Sequence, residues 1–289
     1  MRIPAWYSPA YAPADVPLLA RLHTTRAMLE RLNLVDLHEA TPVTPDALQG
    51  LHAQAYIDAF VAGHEPMASR QGIRWSPAVR DASLTMLGGQ LQAARHALQG
   101  GDGIAMNIAR GFHHAHPASG SGFCALNGLA LVAHAMPQRR IMVIDCDEHG
   151  GNGTEEFAAL MPNLYATSVF GTRFGCRGGE RSWAWLVARE QGYARYGEIL
   201  DEIAALAAVI RPDLLIYQAG ADCHRNDPKS RLQLGTGDLF HRDLAVFRMA
   251  RRLGIAILFV VAGGYQDATR VARLNANTVR AARVAWRGR

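Results

Sequence analysis

Residues 141–153 read IMVIDCDEHGGNG, an apolar run that ends in Asp145 and leads through Asp147 and His149 into a glycine-rich turn. The run is continuous rather than alternating, which is the pattern of a strand covered on both faces of a parallel sheet. Similar runs stand at 164–168 (LYATS), 214–218 (LLIYQ) and 256–261 (AILFVV). Helical periodicity is expected over 17–33, 45–62 and 78–98 upstream, and over 123–135, 183–189, 197–210 and 236–253 among the runs. This order predicts an α/β fold of three layers, a mostly parallel central sheet between helices. In such sheets ligands bind beyond the carboxyl ends of the strands, so polar clusters just after each strand are where chemistry is expected.

The chain has 289 residues, 49% hydrophobic and 19% charged, enough apolar material for a large core. No repeat, low-complexity segment or Pro/Ser-rich linker interrupts it, so a single domain over 1–289 is expected. No apolar run nears the roughly 20 residues that span a bilayer. The first residues lack a charged-then-apolar leader, so a cytoplasmic protein is expected, with no membrane partner. Four scattered cysteines (Cys124, Cys146, Cys176, Cys223) without a CxxC pair speak against a disulfide framework or a zinc ribbon. The formal charge is +5, and Lys229 is the only lysine. No arginine run forms a nucleic-acid arm, and specific nucleic-acid binding is not expected.

The strand ends carry the chemistry. Asp147 and His149 follow the first run, Asp222 follows the third, and Gly263, Gly264 and Tyr265 follow the fourth. A separate loop brings His113 and His114. Each of these motifs alone is commonplace; an Asp-x-His after a strand often only caps a loop. Together at successive strand ends, Asp147, His149 and Asp222 offer one nitrogen and two carboxylates to a divalent ion, with positions left open for water and substrate.

Four ordered segments, GFHHAHPASGSGFCALNG (111–128), IDCDEHGGNGTEEF (144–157), YQAGADCHRNDPKSRLQLGT (217–236) and VVAGGYQDATRVA (260–272), resemble the histone deacetylase family of the arginase/deacetylase fold. The GNG at 151–153 resembles the class IV branch and its bacterial relatives. The resemblance implies a zinc-dependent amidohydrolase with one Zn2+ per chain, bound by Asp147, His149 and Asp222. His113 and His114 would flank the attacking water, with His114 moving its proton. Tyr265 would donate a hydrogen bond to the substrate carbonyl. Gly122 and Phe123, with Gly263 and Gly264, would line the channel for an acyl-lysine stem. Asp145 would orient His113, and with Ser168 would help bind a structural K+ or Na+. The implied substrate is an acylated protein or peptide carrying acetyl or longer groups, or else an acetylated small amine such as a polyamine. Acyl length and oligomeric state are not legible.

Two positions depart from the family pattern. Asn152 stands where most members carry an aspartate against the histidine matching His114, which should leave that imidazole less basic. Gly150 replaces a histidine that is not a ligand. An arginase-like pair of metal ions is disfavoured, because Gly151 and His224 stand where a second ion would need acids. A binding module without turnover is disfavoured because every catalytic role is filled. Cys146 and Cys223 read as packing residues, His116 as a solvent-facing loop residue, and Phe174 as part of a loop near the channel mouth.

Overall fold

The computed structural model of the protein describes residues 1–100 and 102–286. One sheet of eight strands runs through it: β1 (Ile3–Tyr7), β2 (Val35–Glu39), β3 (Ile104–Asn107), β4 (Ile141–Asp145), β5 (Leu164–Phe170), β6 (Ser182–Leu186), β7 (Leu214–Ala219) and β8 (Ala256–Val261). Their order across the sheet is β2-β1-β3-β8-β7-β4-β5-β6, and every pairing is parallel. The helices are α1 (Pro17–Arg31), α2 (Gln54–Ala62), α3 (Pro77–Gln99), α4 (Gly128–His134), α5 (Asn152–Leu160), α6 (Gly192–Ile210), α7 (Thr236–Leu253) and α8 (Ala268–Trp286). Helices α1, α6, α7 and α8 pack in one group, α3, α4 and α5 in another, and both groups meet the sheet. The continuous apolar runs have their cause in this sandwich: β3, β4 and β7 are buried along their whole length.

Strand register positions the site. Asp145 at the end of β4 is level with Gln218 on β7 and Ser168 on β5, and Ala219 on β7 is level with Val261 on β8. The residues just beyond, Asp147 and His149, Asp222, and Gly263 to Tyr265, therefore emerge side by side. Beneath them Arg242 of α7 is fully buried, and its Nη1 donates to the carbonyls of Cys146 (3.0 Å) and Gly220 (2.8 Å). That guanidinium is paired with Asp243 at 2.8 Å, which also accepts from Tyr217 and Thr278.

Three expectations need correction. Residues 183–189 are not helical; Ser182–Leu186 form edge strand β6, paired with β5 from Ala166↔Ser182 to Phe170↔Leu186. The segment SWAWL is too short for a stable helix, and its two tryptophans suit a pleated edge. The helix expected over 123–135 begins only at Gly128, because Gly122 and Phe123 take positive φ (51° and 63°) and Asn127 caps Ala130 N–H at 2.9 Å. Residues 45–62 divide into a 3-10 turn at Pro45–Leu48 and helix α2. Strands β1 and β2 fall outside the expected helices, in stretches for which no element was anticipated.

Candidate active site

The loop after β4 turns back on itself and presents Asp147 and His149. Their ligand atoms and that of Asp222 all lie within 4.8 Å of one another. Asp147 Oδ2 accepts the Gly263 N–H at 2.7 Å, and its Oδ1 accepts the His149 N–H at 3.0 Å. His149 Nδ1 stands 3.2 Å from Asp147 Oδ1 and 3.4 Å from Asp222 Oδ2. Asp222 Oδ2 is buried and makes no hydrogen bond. Burial opposes a charge on His149, but hydrogen bonds and the fields of Asp147 and Asp222 outweigh it and lift the imidazole to about 10. Burial, then the charge of Asp147, pushes Asp222 up to about 6. Two buried carboxylates around one imidazole, with an orphaned oxygen, form a set that a divalent cation satisfies. The described residues fit a zinc-type ion with open positions. Gly263 is required by close approach: a Cβ there would stand 1.8 Å from Asp222 Oδ2.

His113 and His114 lie beside this cluster, both buried, with ring centroids 3.8 Å apart. His113 Nδ1 donates to Asp145 Oδ2 at 2.6 Å. Burial opposes its charge, yet Asp145 and Asp147 raise His113 above the ordinary imidazole range. His114 goes the other way, held well below that range by burial and by the field of His113. Its Nδ1 is 2.7 Å from Asn152 Oδ1. Two adjacent histidines with opposite shifts are suited to different tasks, one charged and orienting, the other free to take a proton.

Tyr265 follows β8. Its N–H donates to Asp227 Oδ2 at 2.6 Å, and burial raises its phenol to about 12, so the hydroxyl keeps its proton. Arg110 Nη2 stands 3.4 Å from the phenol oxygen. Phe123 lies with its ring 6.4 Å from that of Tyr265, and Phe174 lies 4.1 Å from the His114 ring. These aromatics flank the approach to the histidines. Gly122 leaves room there, since a Cβ would come within 2.4 Å of the His114 ring. Gly264 instead faces Val271 and Ala221. Ser168 Oγ accepts the Gly151 N–H at 3.1 Å, and a small cavity lined by Asp145, Ser168, Thr154 and Cys176 lies beneath. Cys146 and Cys223 are buried, and the Cys223 thiol donates to the Cys146 carbonyl at 3.3 Å.

Sequence reasoning missed four groups. Lys229 puts its ammonium 5.0 Å from the Tyr265 ring centroid and 5.9 Å from that of Phe123. Arg21 of α1 stacks 5.1 Å over the Tyr265 ring, and burial with the repulsion of Arg110 draws it down to about 10. Arg110, three residues before His113, is buried with Nη1 unpartnered. Asp15 and Trp75 line, with the expected Phe123, a groove of about 650 Å³. His116, expected to face solvent, is partly exposed in its loop and also contacts Asn152 and Glu156. None of these lies in a spacing pattern; Lys229 was conspicuous only as the single lysine.

No helix among the described residues is long and apolar enough to cross a membrane. A histone deacetylase domain model matches residues 16–282. An uncharacterized protein of Picosynechococcus is 33% identical, with 78% of this chain and 77% of that protein covered. Histone deacetylase 2 of Arabidopsis thaliana is 32% identical over 67% of this chain, which spans about half (51%) of that relative. Acetylpolyamine amidohydrolase 1 of Pseudomonas aeruginosa is 27% identical, covering 61% of this chain and 54% of the relative. A crystal structure of acetylpolyamine aminohydrolase from Burkholderia pseudomallei superposes with a TM-score of 0.80, at 20% identity and 99% coverage of both chains. That likeness establishes an arginase/deacetylase fold, and the match over most of its length places this chain in the histone deacetylase domain family.

Proposed function

We propose that this protein is a zinc-dependent amidohydrolase that removes acyl groups from lysine side chains of proteins or peptides. One observation carries the reading: Asp147, His149 and the orphaned Asp222 oxygen converge beside a histidine pair of opposite basicity and a protonated tyrosine. Zinc held by Asp147, His149 and Asp222 would polarise the amide carbonyl and acidify an attacking water. His114, neutral and turned by Asn152, takes the water's proton and returns it to the leaving amine. His113, charged and held by Asp145, steadies the negative charge that develops. The Tyr265 hydroxyl donates to the carbonyl oxygen as it becomes an oxyanion. Phe123 and Phe174 shield the apolar stem of the substrate from water.

The lysine reading is preferred for an electrostatic reason. Lys229 stands over the Tyr265 and Phe123 rings, where the free ammonium of an acetylated polyamine would meet like charge. The second reading, an acetylpolyamine amidohydrolase, is favoured by relatives of that name and by Asp15 in the neighbouring groove. Turnover of a set of acyl-lysine peptides, acetyl through myristoyl, measured with and without chelator beside acetylated spermidine and putrescine, separates them. Chelator-sensitive hydrolysis of peptides supports the first reading. Hydrolysis of the polyamines alone establishes the second, and no hydrolysis of any amide by zinc-loaded protein overturns both.

A further inference from the structure

Behind His114 a chain of side chains runs outward to the surface. His114 Nδ1 meets Asn152 Oδ1 at 2.7 Å. Asn152 Nδ2 meets His116 Nε2 at 3.2 Å. His116 Nδ1 meets Glu156 Oε2 at 2.5 Å. Asn152 opens α5 and Glu156 lies one turn on, so both side chains reach the same ring from one helix face.

The donors in this chain have one consistent direction. A carboxylate only accepts, so His116 Nδ1 carries hydrogen. With Nδ1–H engaged, His116 turns Nε2 to the Asn152 Nδ2, an NH2 that donates to it. The amide is thereby oriented with its oxygen towards His114, and an oxygen there requires Nδ1–H on His114. The remaining lone pair of His114 is then on Nε2, turned towards the centre. Rotating the Asn152 amide by half a turn would break both of its bonds and favour the opposite tautomer, whose Nε2 has no lone pair with which to take a proton. A lone asparagine cannot choose between these orientations, because its two ends are nearly the same shape; His116 and Glu156 supply the choice.

We propose that His116 and Glu156 are positioning residues, which set the Asn152 amide and through it the tautomer of His114. The carboxylate that many relatives place directly against this histidine is here displaced outward by two links, with its polarising effect passed along the hydrogen bonds. This inference rests on the reading of His114 as the proton acceptor.

The test uses full-length zinc-loaded protein and four variants: H116A, E156Q, N152D and H116A/N152D. Two readouts are taken, the ring 15N shifts of His114, which report its tautomer, and kcat on the best amide substrate. The parent is expected to hold His114 as the Nδ1–H form. H116A is expected to give a mixture of tautomers and a loss in kcat of about tenfold, and E156Q a smaller loss in the same direction. In H116A/N152D a carboxylate accepts from Nδ1 whatever lies behind it, so tautomer and rate should return towards the parent. An unchanged tautomer in both H116A and E156Q, or a double variant as slow as H116A, overturns the relay. A tautomer that shifts as described in a protein that hydrolyses no amide keeps the relay and overturns the functional reading instead.

Discussion

Arg110 Nη2 lies 3.4 Å from the phenol oxygen of Tyr265, and this contact places a buried guanidinium beside the group proposed to meet the substrate carbonyl. On the proposed reading the acyl end of a substrate lies near that phenol, so Arg110 is expected to limit the length of chain accepted. Short acyl groups are therefore expected to turn over fastest. Arg110→Gly should raise kcat/KM for octanoyl-lysine relative to acetyl-lysine, read from a series of peptides. A parallel fall for both would show that Arg110 does not form the floor. Tyr265→Phe should lower kcat by about 10²–10³ with little change in KM, as for loss of an oxyanion donor.

Metal removal should act on stability as well as turnover. Asp147, Asp222 and His149 stay crowded when no cation joins them. Chelation is expected to abolish hydrolysis and lower Tm, and added zinc should restore both. At a free zinc concentration about 100 times Kd the gain is roughly 2.7 kcal/mol. Asp222→Asn should remove most of that zinc-dependent rise in Tm, as followed by calorimetry.

Asn152→Asp should move the acid limb of the pH–rate profile to higher pH. His114 is held well below the ordinary imidazole range, with burial the leading cause. In its proposed role as base it must be unprotonated, and a carboxylate at 152 favours its protonated form. An unmoved limb would falsify the link between Asn152 and the basicity of His114.

His52 should govern stability in acid. Its ring is buried, with Nδ1 donating to the carbonyls of His116 (3.0 Å) and Pro117 (3.3 Å), while Nε2 accepts the Asn127 N–H at 3.1 Å. Burial lowers it from 6.5 to about 4. The unfolded chain thus binds a proton that the folded protein refuses. The stability is complete above pH 6.5 and drains away as pH falls towards 4, by about 3 kcal/mol in all. Urea unfolding at neutral pH and at pH near 4 should show this loss in the parent and less of it in His52→Gln.

Arg242→Met should destabilise the fold by about 3–5 kcal/mol, because the buried Asp243 would lose its guanidinium partner and keep only the Tyr217 and Thr278 hydroxyls. The two carbonyls that Arg242 bridges, on Cys146 and Gly220, adjoin metal ligands. A lower zinc affinity should accompany the loss of stability, whereas Arg242→Met/Asp243→Leu should recover stability without recovering affinity. Denaturant curves and zinc titration distinguish the two effects.

The candidate site was legible because its residues follow strands that announce themselves. Each run buried on both faces is continuous, and Asp147, Asp222 and Tyr265 come at fixed distances past the ends of β4, β7 and β8. Strand β6 was not legible, since the single Trp183/Trp185 alternation in SWAWL is too brief to tell a half-exposed edge strand from a helical turn. Nor were β1 and β2; IPAWY and VDLHE are short, and only pairing with each other and with β3 makes them strands. Arg21, Arg110 and Lys229 reach Tyr265 from three distant segments, a convergence that no local pattern records. His116 is the loop histidine the sequence suggests, but its contacts with Asn152 and Glu156 of α5 come from the fold and not from a local pattern.

The strand order has a practical corollary for dissecting the molecule. Every residue assigned a chemical role between His113 and Tyr265 lies in the segment from β3 onward, which invites its expression as a minimal unit. Yet β3 sits inside the sheet, flanked by β1 on one side and β8 on the other. Cutting before β3 would strip away its neighbour and bare a strand that is otherwise fully buried, Ile104–Asn107, with its backbone groups unpaired. Such an edge recruits other chains. The fragment that holds all the chemistry should therefore precipitate, and the amino-terminal hundred residues serve as the solubilising flank of a site to which they contribute Arg21 at its border.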